Sequence, residues 1–243
     1  MGESVTTDAL LLRAVDYRDA DRIVTLFTSD LGTVSAIARS AKSSRRRFSG
    51  ALEPYCVIRV ELEPSRGELM TLKRAEVVRM FGGVLTDLGR MEAAGAALSL
   101  VREAARVPDS ALFVGAVQYL TLLEHQPDEQ RAALLAFAMR VLALSGLAPR
   151  LTACGRSGAP VPPNKAAYFD PALGAVVSRR FGGGPFLLDA RTRERLLQAQ
   201  GEAWLEAARA TWDPSALNGA RCALAAFIAA QLSPELASRV FPG

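Results

Sequence analysis

Between Asp8 and Val78 hydrophobic and polar positions alternate in short runs, DALLLRAVDY, DRIVTLFTSD, GTVSAIARSA, YCVIRVELE and ELMTLKRAEVV, with turn formers between them. The breaks are sharpest at Asp30-Leu31-Gly32 and Ser65-Arg66-Gly67. Val57, Arg59 and Glu61 alternate with Ile58, Val60 and Leu62, the period of two that a half-solvated strand requires. Five such strands in so short a segment predict a small barrel. Closing the sheet removes edges that a domain of this size cannot otherwise cover, and an OB-type barrel over residues 1–80 is the expectation.

After Gly82-Gly83 the pattern changes to alanine and leucine at helical spacing. Helices are predicted over Thr86 to Val107, starting on a capping Thr or Asp and ending before Pro108, over Ser110 to His125, and over Asp128 to Leu147. In the last of these Leu134, Leu135, Phe137, Ala138, Val141, Leu142 and Leu144 make a broad apolar face, stopped by Gly146 and Pro149. Helical texture returns over Asp189 to Ala210 and over Pro214 to Leu232. An α-helical domain is therefore expected over 81–150 and 186–243. Between its halves, residues 151–185 are rich in Gly and Pro with apolar pieces only at Ala167 to Phe169 and Gly174 to Val177, and read as an irregular insertion or a small hairpin. The fold class is α+β, multidomain.

With 243 residues, half of them hydrophobic, the chain can bury a sizeable core. A net charge of +4 leans only weakly toward an anionic partner. Cys56, Cys154 and Cys222 lie far apart with no CxxC pair, which argues against a disulfide framework and an intact zinc knuckle and fits a reducing, cytoplasmic setting. The start, MGESVTTDALLL, has no basic leader, and the longest uncharged run, Ser110 to Leu123, is too short to cross a bilayer, so no membrane association is expected.

Charge distribution says more than the total. Ala38 to Tyr55 reads ARSAKSSRRRFSGALEPY, and gathers Arg39, Lys42, Arg45, Arg46 and Arg47 ahead of Phe48. Arginine matches phosphate oxygens bidentately, an adjacent phenyl ring can stack on a base, and the segment follows the third strand, where an OB barrel carries a loop beside its binding face. These six residues are the expected DNA-binding set. Tyr17, Arg18 and Arg22 fall in the first strand connection, where Asp16, Asp19 and Asp21 are expected to neutralise the two arginines locally.

Enzymatic chemistry finds little support. The single histidine, His125, stands at a helix end, where a cation suits the helix dipole. Gly155-Arg156-Ser157-Gly158 lacks the spacing of a nucleophile elbow, and Gly182-Gly183-Gly184 lacks the Lys-Ser/Thr of a phosphate loop. Glu61 and Glu63 share a strand face by period alone, so no catalytic residue is assigned.

The ordered series Tyr17-Arg18-Asp19-Ala20-Asp21, then IVTLFTSDLGTVSAIARSAK from Ile23 to Lys42, then the basic run and SGALEPY from Ser49 to Tyr55, resembles the RecO family of bacterial recombination mediators. The likeness continues through LALSGLAPRLTACGRSGAP and runs nearly end to end. Many members of that family carry a four-cysteine zinc site here. Where they have CxxCG this chain has Leu151-Thr152-Ala153-Cys154-Gly155, keeping only the second ligand position, so the insertion is expected to be a degenerate zinc-finger region with no metal and no cofactor. The resemblance implies a non-enzymatic, nucleoid-associated protein of the RecFOR pathway that binds single- and double-stranded DNA, anneals complementary strands, engages the carboxy-terminal tail of the single-strand binding protein SSB, and works with RecR to load RecA. For the tail, an acidic stretch with a terminal apolar residue and carboxylate, the expected slot is Leu135, Met139 and Leu142 with Arg131 and Arg140. An OB-fold RNA-binding or ribosome-associated protein and a structural adaptor are the alternative readings.

Overall fold

The structure is a computed structural model describing residues 3–242, apart from Ser49, Arg66, Arg106 and residues 126–129; of Arg45 and Arg46 it describes the backbone only. By compactness the chain divides into two units, Met1–Ala94 with Ala105–His125, and Gly95–Ala104 with Gln126–Gly243.

In the first unit, strands β1 (Val5–Tyr17), β2 (Asp21–Thr28), β3 (Gly32–Ala38), β4 (Cys56–Glu63) and β5 (Met70–Met80) close a barrel in the order β1-β2-β3-β5-β4. All neighbours run antiparallel except β3 and β5, which meet in parallel through Ala36 with Met70 and Ile37 with Thr71. This is the OB-like barrel that the alternating runs predict. Its interior is filled by the inward set of each strand, including Ala9, Leu11, Val24, Leu26, Ile58, Val60, Leu62 and Leu72. Between β3 and β4 lies a single helical turn, α1 (Arg45–Phe48).

Helix α2 (Leu88–Ala104) begins in the first unit, and α3 (Ser110–His125) belongs to it entirely. Composition groups α3 with the other helices, but its contacts are with the barrel. Phe113 packs against Phe27 with centroids 5.8 Å apart, and the Glu124 carboxylate takes the Arg79 guanidinium at 3.3 Å and the Gly83 N–H at 3.2 Å.

The second unit is built on α4 (Gln130–Leu144), whose residues from Ala132 to Leu142 are all buried. The apolar face read from sequence is in fact the whole surface of that stretch, as in a helix at the centre of a core. Asp128, where the sequence pattern starts this helix, and Gln126-Pro127 lie outside the described residues.

Residues 151–185, read from sequence as irregular, instead carry most of a four-stranded sheet of β6 (Arg150–Cys154), β7 (Ala167–Asp170), β8 (Ala175–Val177) and β9 (Phe186–Leu188), in the order β6-β8-β7-β9. Each strand is three to five residues long, too short for an alternation to show. Glycine closes the sheet: a side chain at Gly184 would fall on the Phe169 carbonyl.

Helices α5 (Ala190–Gln200), α6 (Trp204–Arg209), α7 (Pro214–Gln231) and α8 (Pro234–Val240) complete the unit. The predicted helix over 189–210 is thus two, broken at Gly201. Asp189 caps α5 and Asp213 caps α7, each accepting backbone N–H groups at 2.8 to 3.0 Å.

Fully buried between the sheet and α5 is Arg193, 1% exposed. Its guanidinium donates to the carbonyls of Leu151, Val161, Pro162 and Lys165 at 2.5 to 3.3 Å. Burial pulls its pKa below the ordinary value, while the ring of carbonyls replaces the lost hydration.

Candidate nucleic-acid interface

The basic segment and the β1–β2 hairpin, separate in sequence, are stitched together on the barrel. The Ser40 N–H donates to Asp21 Oδ1 at 2.8 Å, the Lys42 N–H donates to the Ala20 carbonyl at 3.1 Å, and Lys42 Nζ reaches Asp16 Oδ2 at 2.9 Å. Ser40 and Arg18 both take left-handed backbone, φ 56° and 53°, which sharpens the two turns enough to meet.

Two of the three acids of the hairpin, Asp16 and Asp21, are consumed in this stitching. Asp16 serves two cations, Lys42 and Arg22, the latter at 3.2 Å, and the hydrogen bond from Lys42, helped by Arg22, holds its carboxyl below the usual range. Asp21 is spent on a backbone N–H. Arg18 and Arg39 are exposed, and among the described residues no carboxylate pairs with either. The expected local neutralisation of Arg22 is present, whereas that of Arg18 is absent.

Arg47 braces the loop, donating from Nη2 to the Arg39 carbonyl at 2.9 Å and from Nε to Ser44 Oγ at 3.0 Å. The side chains of Arg45 and Arg46 lie outside the described part. Phe48 does not offer a stacking face. It is 3% exposed and sits in the barrel core beside Ala38, Ala51, Leu52 and Cys56, because α1 folds its phenyl ring inward while Ala51 N–H closes on the Phe48 carbonyl at 2.7 Å.

The exposed ring here is Tyr17, 38% accessible, with the Arg18 guanidinium 5.1 Å from its centroid. An aromatic face among unpaired cations is a surface for a polyanion that carries flat rings. The signal for Tyr17 was in the sequence, but the three nearby aspartates masked it.

The set expected on α4 is not assembled as a slot. Leu135, Met139 and Leu142 are buried in the helical core, and Arg140 is buried too, donating to the Gln200 carbonyl at 3.1 Å and to Glu202 at 2.5 Å. Only Arg131 is exposed.

A cavity of about 310 Å³ opens elsewhere in the second unit, at the first turns of α5 and α7. Arg191, Arg195, Trp212, Asp189 and Asp213 line it. Arg195 lies 5.1 Å from the Trp212 ring, whose Nε1 is buried with no partner among the described residues. Both oxygens of Asp189 and one of Asp213 are committed to capping. No sequence pattern joins these segments, which only the fold brings together.

Residues 1–81 match the family model described as Recombination protein O N terminal, and residues 85–239 match Recombination protein O C terminal. The chain belongs to the RecO family. It is 42% identical to the DNA repair protein RecO of Anaeromyxobacter sp. (strain K) over 244 residues, covering 98% of this chain and 96% of the relative. It is 43% identical to that of Anaeromyxobacter dehalogenans (strain 2CP-1 / ATCC BAA-258) over 237 residues, 96% and 93%, and 35% identical to that of Myxococcus xanthus (strain DK1622) over 243, 97% and 96%. Membership of the RecO family assigns the chain to DNA repair and recombination. No helix among its described residues is long and apolar enough to cross a membrane.

The zinc site that the family resemblance raises does not fit the side chains present. Leu151 is buried and has no donor atom, and around the Cys154 sulfur stand hydroxyl and amide groups. Sγ accepts the Ser178 N–H at 3.4 Å and lies 3.7 Å from Ser178 Oγ. The Ser157 hydroxyl and then the Ser178 N–H pull the thiol down to about 6. One thiol and two serines are not the donor set of a structural zinc.

Proposed function

We propose that this chain is a non-enzymatic recombination mediator that binds single- and double-stranded DNA through the barrel, anneals complementary strands, and acts with RecR and SSB to load RecA in the bacterial cytoplasm, at the nucleoid. The observation that carries the reading is the stitched surface of Tyr17, Arg18, Arg39, Lys42 and Arg47, where Asp16 and Asp21 are occupied and the cations outnumber the aspartates. Phosphates there release counterions, and Tyr17 gives a base a face to stack on. The lone histidine supports a non-catalytic role, since its Nδ1 lies 2.8 Å from the Thr121 carbonyl at the end of α3.

For the SSB tail, the second unit presents Arg191 and Arg195 at an open cavity, with exposed Leu187 on its lining. That arrangement suits an acidic peptide ending in a carboxylate better than the buried face of α4.

Fluorescent single-stranded DNA titrated at several salt concentrations tests the barrel reading. On single strands each lost phosphate contact flattens the plot of log affinity against log salt by about 0.7. Arg18→Ala with Arg39→Ala should weaken binding and lower the slope accordingly. An unchanged slope in the folded double variant overturns the assignment.

A further inference from the structure

A second basic surface stands on the small sheet, far in sequence from the first. Cys154 Sγ accepts the Ser178 N–H, and Gly155 N–H donates to the Val176 carbonyl at 2.8 Å, so the turn carrying Arg156 lies against the turn Arg179–Phe181. That second turn is a single 3₁₀ turn, closed by Phe181 N–H on the Ser178 carbonyl at 2.9 Å and ended by Gly182 in left-handed backbone, φ 101°. Arg150 Nη2 lies close to Gly155, in the turn that carries Arg156.

Arg156, Arg179 and Arg180 are exposed, and among the described residues none is paired with a carboxylate. Two rings lie among them: Phe181, 38% exposed with the Arg180 guanidinium 4.8 Å from its centroid, and Tyr168, with Arg179 at 5.9 Å. A phenyl ring more than a third exposed beside guanidinium groups that no carboxylate pairs costs solvation. The same elements suit a strand of nucleic acid, whose phosphates meet the arginines and whose bases meet the ring. An acidic peptide would use the charges but leaves the exposed ring unexplained.

We infer that Arg156, Arg179, Arg180 and Phe181 form a second binding site for single-stranded DNA, with the arginines on phosphates and Phe181 stacked on a base. The inference rests on the proposal that the chain binds DNA, and assigns part of that binding to the second unit. Two sites in one chain let it hold two strands at once.

The test uses the full chain and a fluorescent oligo-dT. Arg156→Ala, Arg179→Ala and Arg180→Ala together should lower the salt slope by about 2, at about 0.7 per phosphate contact, and Phe181→Ala should weaken binding about 5-fold or more. If the triple variant keeps the parent slope while the Arg18→Ala/Arg39→Ala variant loses it, the second site is overturned and the barrel reading stands. If the parent does not bind, both fail. Should the triple variant lose affinity for a poly-glutamate peptide but not for DNA, the surface is a protein-docking site and the inference is likewise overturned.

A measurement on the unaltered chain covers a variant that does not fold. Photo-cross-linking to an oligonucleotide carrying 5-bromouracil, followed by trypsin, should label the peptide Phe181 to Arg191. Labelling confined to barrel peptides overturns the inference.

Discussion

Phe48 and Tyr17 show how position in a turn decides between core and surface. Both are aromatic residues next to arginines, yet α1 turns one ring into the barrel and the β1–β2 hairpin holds the other in water. Their truncations should separate cleanly. Tyr17→Ala should weaken single-stranded DNA binding by about 1–3 kcal/mol and leave the melting temperature nearly unchanged. Phe48→Ala should cost about 3–5 kcal/mol of stability, read as a lower urea midpoint, and equal DNA affinity losses in the two folded variants would contradict the assignment.

Cys154 gives a pH dependence with a definite sign. Its folded pKa, about 6, lies below that of a free thiol, so the thiolate interactions stabilise the fold fully above the unfolded pKa and are lost as pH falls toward 6. The melting temperature of the parent relative to Cys154→Ala should therefore be higher at pH 9 than at pH 6. A constant difference across that range would mean that Ser157 and Ser178 do not hold a thiolate.

At the scale of elements, the sheet β6–β9 was the least legible part of the sequence. Its strands are too short to show a period, and the five donors of Arg193, which tie α5 to β6 and to the loop after it, leave no mark in a list of residues that reads like any solvated helix face, ARTRERLLQAQ. The barrel strands were legible because seven to thirteen residues of alternation survive a bulge or two. The slot expected on α4 failed for a related reason. A helix buried all round and one with a binding groove share the same apolar letters, and only its packing against α5, α6 and α7 tells them apart, as in the contact of Phe137 with Trp204 at 5.6 Å.

Because Arg193 ties β6 and the loop after it to α5, where a metal would otherwise be needed, a chelator should leave the melting temperature alone and elemental analysis should find no stoichiometric zinc. Arg193→Lys should instead lower stability, since an ammonium cannot reach four carbonyls and each one left bare costs about 1–3 kcal/mol. One tightly held zinc per chain, or a Lys variant as stable as the parent, would sink this account.

For the whole molecule, family membership and the OB-like barrel were legible from an ordered series of motifs, while the division into compact units was not, because α3 has the composition of one unit and the contacts of the other. The guanidinium that ties α5 to β6 and the loop after it has a consequence for the chemistry the cell imposes. Thiolates that hold a metal are oxidised stepwise to sulfenic and sulfinic acids, and a fold that depends on them opens under peroxide. A ring of backbone carbonyls around an arginine offers nothing to that reaction. In this chain the same oxidants that break DNA leave the guanidinium cross-link of the repair protein intact, and the oxidisable group of the small sheet, Cys154, is kept from them by burial.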